Sequence, residues 1–201
     1  MKIIHYIFGI PPLRGGGTIK YALDLAKEQS RQGHEVFLLY PGEIKKTTVD
    51  VSVKSNKSIK GIKVFEIINP LPVPLVSGIK EPLRFVKIAD KNVYLRFLEK
   101  EKIKILHVHS LMGLHLELLE AAKELNIKIL FSTHDYFGIC PKTNLLYKNS
   151  SCKDMEWINC AECCKDAESV DTLIRRQKHL FQMLIKCKAL VKLNQLRKNR
   201  K

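Results

Sequence analysis

Between Ile3 and Phe8 nearly every residue is apolar, where a half-exposed strand would alternate. A run so short and so continuous fits a strand buried on both faces, and that demands helices above and below a sheet. The next residues supply such a helix. Ile19, Ala22, Leu23 and Ala26 recur at three and four, so they share one face of a helix spanning Ile19 to Gln32. Thr18 is the candidate N-cap, and Gly33 sits where a terminating glycine belongs.

The same unit repeats along the chain. Strands are expected to start near Lys2, Glu35, Ile62, Ile103 and Ile127, with helical patterns over Leu83–Glu101 and Leu114–Leu125. Lys45 to Lys60 is polar and reads as a loop or a short edge hairpin. Pro70, Pro72, Pro74 and Pro82 punctuate a stretch that cannot be regular. The fold class is therefore α/β: a Rossmann-like parallel sheet with helices on both faces, in one domain over residues 1–201. After Thr133 the alternation breaks into a cysteine-rich loop over 133–166. Asp171 is then the expected cap of a basic helix to about Lys186, followed by a strand at Ala189–Leu193 and the basic tail Arg197–Lys201.

With 45% hydrophobic residues the chain can build a core. No run of about 18 apolar residues exists, so no spanning helix is expected. The first strand runs into Pro11 and Pro12 without the long apolar stretch of a signal peptide, which suggests a cytoplasmic protein. Thirty-five Lys and Arg against 20 Asp and Glu give a net charge of +15. Such a surface either serves solubility or meets a polyanion: nucleic acid, anionic lipid or phosphorylated substrate.

Three groups of residues carry chemistry. Gly15, Gly16 and Gly17 lie between the first strand and first helix, where a bare backbone lets a ligand approach and a helix N-terminus offers N–H groups to an anion. The run matches neither G-x-G-x-x-G nor a P-loop, and a plain flexible turn is the competing reading. Arg14 precedes it as an added positive charge or a solvated one. Two histidine sites end neighbouring strands: His107-Val108-His109-Ser110 and Thr133-His134-Asp135-Tyr136. Ligands of open α/β sheets bind beyond the strand carboxyl ends, where a neutral histidine acts as a base or holds a hydroxyl. Hydrogen-bonded structural histidines are the competing reading. His5 and His34 read as structural.

The third group is Cys140-x11-Cys152-x7-Cys160-x2-Cys163, with Cys164 adjacent. One Cys-x2-Cys pair with two more cysteines nearby can form a tetrahedral thiolate site for structural zinc. Free or redox-active thiols are the alternative. Four thiolates leave no open position, so no catalytic metal is expected.

Taken in order, the glycine turn, the Gly33-His34-Glu35-Val36 step, His107-Val108-His109-Ser110 and Thr133-His134-Asp135-Tyr136-Phe137 with Cys140-Pro141 and the later cysteines resemble one pattern. It is the N-terminal domain of family-four-type retaining glycosyltransferases of GT-B fold, in a subgroup with the HDY and cysteine motif. The resemblance covers the chain to about Leu190. It implies the acceptor-binding half of a nucleotide-sugar-dependent hexosyltransferase. His109 would match the active-site histidine. Gly15, Gly16, Gly17, His134 and Asp135 would bind substrate. It also implies a UDP- or GDP-linked donor held by a C-terminal domain, with no metal in catalysis.

The family's donor motif, Glu-x7-Glu, has one spacing match here, Glu35 and Glu43, which flanks the second strand and does not fit. A second domain needs roughly 150 further residues. The expectation is therefore a truncated product, a remnant or one subunit of a split enzyme, inactive alone, with its donor domain on a separate chain. The implied acceptor is a glycan or lipid-linked sugar for cell-surface polysaccharide or glycolipid, met on the inner membrane face, where +15 suits anionic lipid. A zinc-stapled nucleic-acid-binding protein and an inactive remnant are the alternatives. No known nucleic-acid module fits the sequence.

Overall fold

The computed structural model describes residues 1–45, 47–148, 150–152 and 157–177. Its centre is a six-stranded sheet in the order β3-β4-β2-β1-β5-β6. These are β1 (Lys2–Tyr6), β2 (Glu35–Pro41), β3 (Ser52–Ile59), β4 (Ile62–Ile68), β5 (Ile105–Val108) and β6 (Lys128–Phe131). All neighbours pair in parallel except β3, which runs antiparallel to β4 at the edge. The polar Lys45–Lys60 stretch thus resolves as the edge hairpin, where one strand can be half wet without cost to the core.

Strand alternation divides the core in two. On one face Val36, Leu38 and Tyr40 meet α1 (Gly17–Arg31), which turns Ala22 and Ala26 inward. On the other, Phe37, Leu39 and Leu106 meet α2 (Lys91–Glu101) and α3 (Leu116–Glu124). Both faces are covered, so the continuous apolar runs of β1 and β2 are accounted for. Each fully buried large side chain stabilises by about 1.5–3 kcal/mol.

Several boundaries differ from the sequence reading, each for a local reason. Helix α1 starts two residues earlier: Gly16 is the N-cap, without a side-chain bond, and Thr18 lies inside the first turn. Its other end is a Schellman motif, with Gly33 at φ 85° and bonds from Gly33 N to Ser30 O and from His34 N to Gln29 O. Helix α2 begins only at Lys91, because Asp90 caps it by accepting from Asn92 N. Leu83, Val86 and Ile88, the apolar residues at the start of the expected helix, are exposed and have no face to join. Helix α5 (Val170–Arg176) is capped by Ser169, which accepts from Thr172 N, and Asp171 sits in its first turn. The cysteine-rich segment between contains a two-residue hairpin, β7 (Leu146–Tyr147) with β8 (Ser150–Ser151), and α4 (Trp157–Cys163). The expected continuation of the basic helix to Lys186, the strand at Ala189–Leu193 and the tail lie outside the described residues. No helix among the described residues is long and apolar enough to cross a membrane.

Candidate functional site

The chain builds outward from β1 through β2 to β4 on one side, then crosses to β5 and β6 on the other. The carboxyl ends of β1 and β5 therefore flank the point where strand order reverses, the usual ligand crevice of an open α/β sheet. The glycine turn and both histidine sites fall at this end.

Gly15, Gly16 and Gly17 are exposed, and a Cβ on any of them would meet open space. Gly16 has φ 126°, a conformation that glycine adopts without strain. The N-terminus of the 15-residue α1 opens here, with its first N–H groups unspent on the helix. Arg14 folds back over Gly9, where any side chain would collide with its stem. Its Nη1 is buried with no partner among the described residues. Burial lowers its pKa to about 10, against the pull of Tyr6 and with the push of Arg176. A buried guanidinium short of a partner beside a helix N-terminus is suited to an anion.

The histidines form a row. His5 lies opposite His107 in the β1–β5 register, and His107 and His109 share a face by alternation, their rings stacked at 4.1 Å. Gln29 follows Ala22 and Ala26 on the inner stripe of α1. Its Oε1 accepts from His5 Nε2 at 2.7 Å. His5 Nδ1 and His109 Nε2 are 2.9 Å apart, and His109 Nδ1 and His134 Nε2 are 3.2 Å apart. His107 Nε2 reaches Ser132 Oγ at 2.8 Å. Tyr21, in the second turn of α1, sets its ring edge-on to both His109 and His134.

With the amide oxygen of Gln29 facing His5, the hydrogen-bond geometry assigns the protons along this row. An oxygen only accepts, so His5 carries its hydrogen on Nε2 and presents a lone pair at Nδ1. His109 must then donate from Nε2 and accept at Nδ1, and His134 donates from Nε2. His134 is left with Nδ1 as an acceptor, unbonded among the described residues, on an exposed ring. Burial keeps the inner rings neutral. It lowers His5 to about 4, against the bond from Gln29 and with help from His107. It lowers His109 to about 3, aided by His107, His5 and His134. A proton gained at the surface therefore has no downhill path inward, and the row sets a tautomer rather than conducting charge.

His5, His107 and His109 are also the only three metal-type side chains among the described residues whose ligand atoms all lie within 4.8 Å of one another. A metal must lie near the plane of each ring that binds it. His107 stacks on His109 at 4.1 Å with an interplanar angle of 30°, and His5 Nδ1 already faces His109 Nε2 at 2.9 Å, so no point is shared by all three rings. Hydrogen bonding accounts for this cluster.

The sequence reading thus placed His109 and His134 at one site, and they touch. Their exposures differ: His109 is 1% exposed, and it reaches the crevice through His134. Asp135 accepts from Phe137 N at 2.9 Å, so one of its oxygens shapes the loop. His134 and Asp135 line a cavity of about 380 Å³ with Phe131, Thr133, Tyr136 and Ile139. His5, Gln29 and Tyr21 were not singled out as site residues. The signal for His5 was present, as a polar ring inside a continuous apolar strand that needs a buried partner. Cys140, Cys152, Cys160, Cys163 and Cys164 line a separate small cavity, none of them in a disulfide.

The model of Glycosyltransferase Family 4 matches residues 15–164, which span the glycine turn, both histidine sites and the cysteines. The chain belongs to Glycosyltransferase Family 4. No curated protein matches it in sequence. Among solved structures, it is similar to the catalytic domain of starch synthase IV from Arabidopsis thaliana bound to ADP and acarbose. That similarity is 17% identity over 66% of this chain and 34% of that one, with a TM-score of 0.37. The chain accordingly spans about a third of the length of that enzyme's catalytic domain.

Proposed function

We propose that this family member supplies the acceptor side of a nucleotide-sugar-dependent glycosyl transfer, with the hydroxyl of a glycan or lipid-linked sugar bound at His134. The observation that carries this reading is the fixed tautomer row, Gln29–His5–His109–His134, which leaves an acceptor nitrogen at the switch point of the sheet. A sugar hydroxyl donates to that nitrogen and is held there, or gives up its proton as it attacks. The neighbouring cavity has the right character for a pyranose, whose C–H faces lie against aromatic rings. Phe131 and Tyr136 line it and are each 51% exposed. Gly15 to Gly17 and Arg14 take an anionic group, a diphosphate of the donor or of a lipid-linked acceptor. In this reading His109 acts through His134. The donor, UDP- or GDP-linked, is held mainly from the opposite side of the cleft by a second domain. The net charge of +15 favours work beside an anionic membrane surface on its cytoplasmic face.

The test is binding by the 201-residue chain, titrated with saccharides and with pyrophosphate-linked glycolipids in nanodiscs. Saccharide or glycolipid binding is expected, weakened roughly tenfold or more in His134→Ala, the cost of one hydrogen bond to a buried ligand group. No binding to any acceptor, together with tight and steeply salt-dependent binding of DNA or RNA, would sink the proposal.

A further inference from the structure

We infer that Cys140, Cys152, Cys160 and Cys163 form a structural zinc site that holds the 133–166 segment together. The segment has little else to hold it. A two-residue hairpin and a seven-residue helix are too short to persist alone. Tyr136, Ile139 and Leu146, three of its larger apolar side chains, are each about half exposed. Yet the fold brings these four cysteines from three separate stretches to one cavity, together with Cys164.

The cavity measures about 20 Å³, room for one small ion and too little for an organic cofactor. Its ligand type is uniform, and thiolate sets of this kind select zinc among common divalent ions. A dication bound among these thiols displaces their protons. Four S–H bonds break, four Zn–S bonds form at about 2.3 Å, and four protons leave to solvent. The resulting site carries a charge of −2, and Lys142 on the cavity wall faces it. Among the described residues no three of the sulfurs all lie within 4.8 Å of one another, so the proposal requires the segment to tighten around the ion.

Cys164 is assigned a different task. It is 3% exposed, bonds the backbone of Ile79, and fills the space that a side chain at Gly78 would occupy. It anchors the segment to the loop before α2 and is not needed as a ligand.

The proposal is independent of the acceptor reading and is tested by metal content. The full chain, purified in reducing buffer without chelator, should carry one zinc per molecule. Exchange for cobalt(II) should give the thiolate charge-transfer absorption of a four-sulfur tetrahedral site. Serine at Cys140, Cys152, Cys160 or Cys163 should weaken zinc by more than the roughly 10–100-fold that loss of an outer-shell partner costs. Cys164→Ser should keep full stoichiometry. Should the serine variants fail to fold, alkylation mapped by mass spectrometry on the unmodified chain decides the matter. Cys140, Cys152, Cys160 and Cys163 should react only after zinc is stripped. A chain that neither contains nor takes up zinc or cobalt, or whose cysteines react at the same rate with and without zinc, overturns the site.

Discussion

The sheet and the cysteine-rich segment are held by opposite means. In the sheet, Ile4, Phe37, Leu38, Leu39 and Val64 are fully buried, and order follows from removing apolar surface from water. Between Thr133 and Asp166 the elements are two to seven residues long and the larger apolar side chains are half exposed. There, order depends on a few polar and sulfur contacts, such as Cys140 N to Tyr136 O and Cys152 N to Leu145 O, each 2.7 Å. A core loses stability with each apolar contact removed and is indifferent to a metal ligand. A loop held by the inferred zinc responds the other way round.

The contrast is broken most directly by truncation. Phe37→Ala should cost about 3–5 kcal/mol and lower the urea midpoint of the whole domain. Leu146→Ala, at a half-exposed site in the cysteine segment, should stay within about 0.5 kcal/mol. Similar losses for both would mean that the segment shares the core. Next in size is chelation. Stripping the inferred zinc should abolish hydrogen-exchange protection over 133–166 while the strands from β1 to β5 keep theirs. Loss of protection in the sheet as well would make the two regions one cooperative unit.

Acid should act on the sheet. His5 and His115 are lowered to about 4 and His109 to about 3, from 6.5 when unfolded, in each case chiefly by burial. The unfolded chain therefore binds more protons below pH 6.5. Stability is complete above that pH and falls as pH drops toward 4, by about 1.4 kcal/mol per pH unit for each histidine held neutral. A urea midpoint at pH 5 equal to that at pH 7.5 would contradict the burial of these rings. A smaller effect than at Phe37 is expected at Gly33→Ala, where φ is 85° in the turn closing α1. About 1 kcal/mol of stability should be lost, read as a modest drop in Tm.

The sequence revealed the sheet because apolar period and strand length are local properties. Ile62–Ile68 was legible to the residue, and Gly33 marked the turn that closes α1. Helix onsets were less legible, because a cap decides them: the pattern from Leu83 becomes a helix only after Asp90, and Ser169 caps in place of Asp171, which spacing alone does not reveal. At the site, His109 and His134 were legible from their position at strand ends. The link through His5 and Gln29 was not. It depends on the register of β1 against β5 and on which face of α1 turns inward, and neither is written in any one segment.

Gln29 has a further consequence. Its carboxamide has two ends, an oxygen that accepts and a nitrogen that donates, exchanged by half a turn about one bond. With oxygen inward, every ring in the row points its proton the same way, and the crevice is offered a lone pair. With nitrogen inward, all three rings would have to swap tautomer together, since two N–H groups or two lone pairs cannot face each other. The crevice would then be offered a proton. The last turn of α1 thus acts as a spelling rule for the mouth of the sheet: one amide, far from any ligand, determines whether the surface imidazole speaks as an acceptor or as a donor.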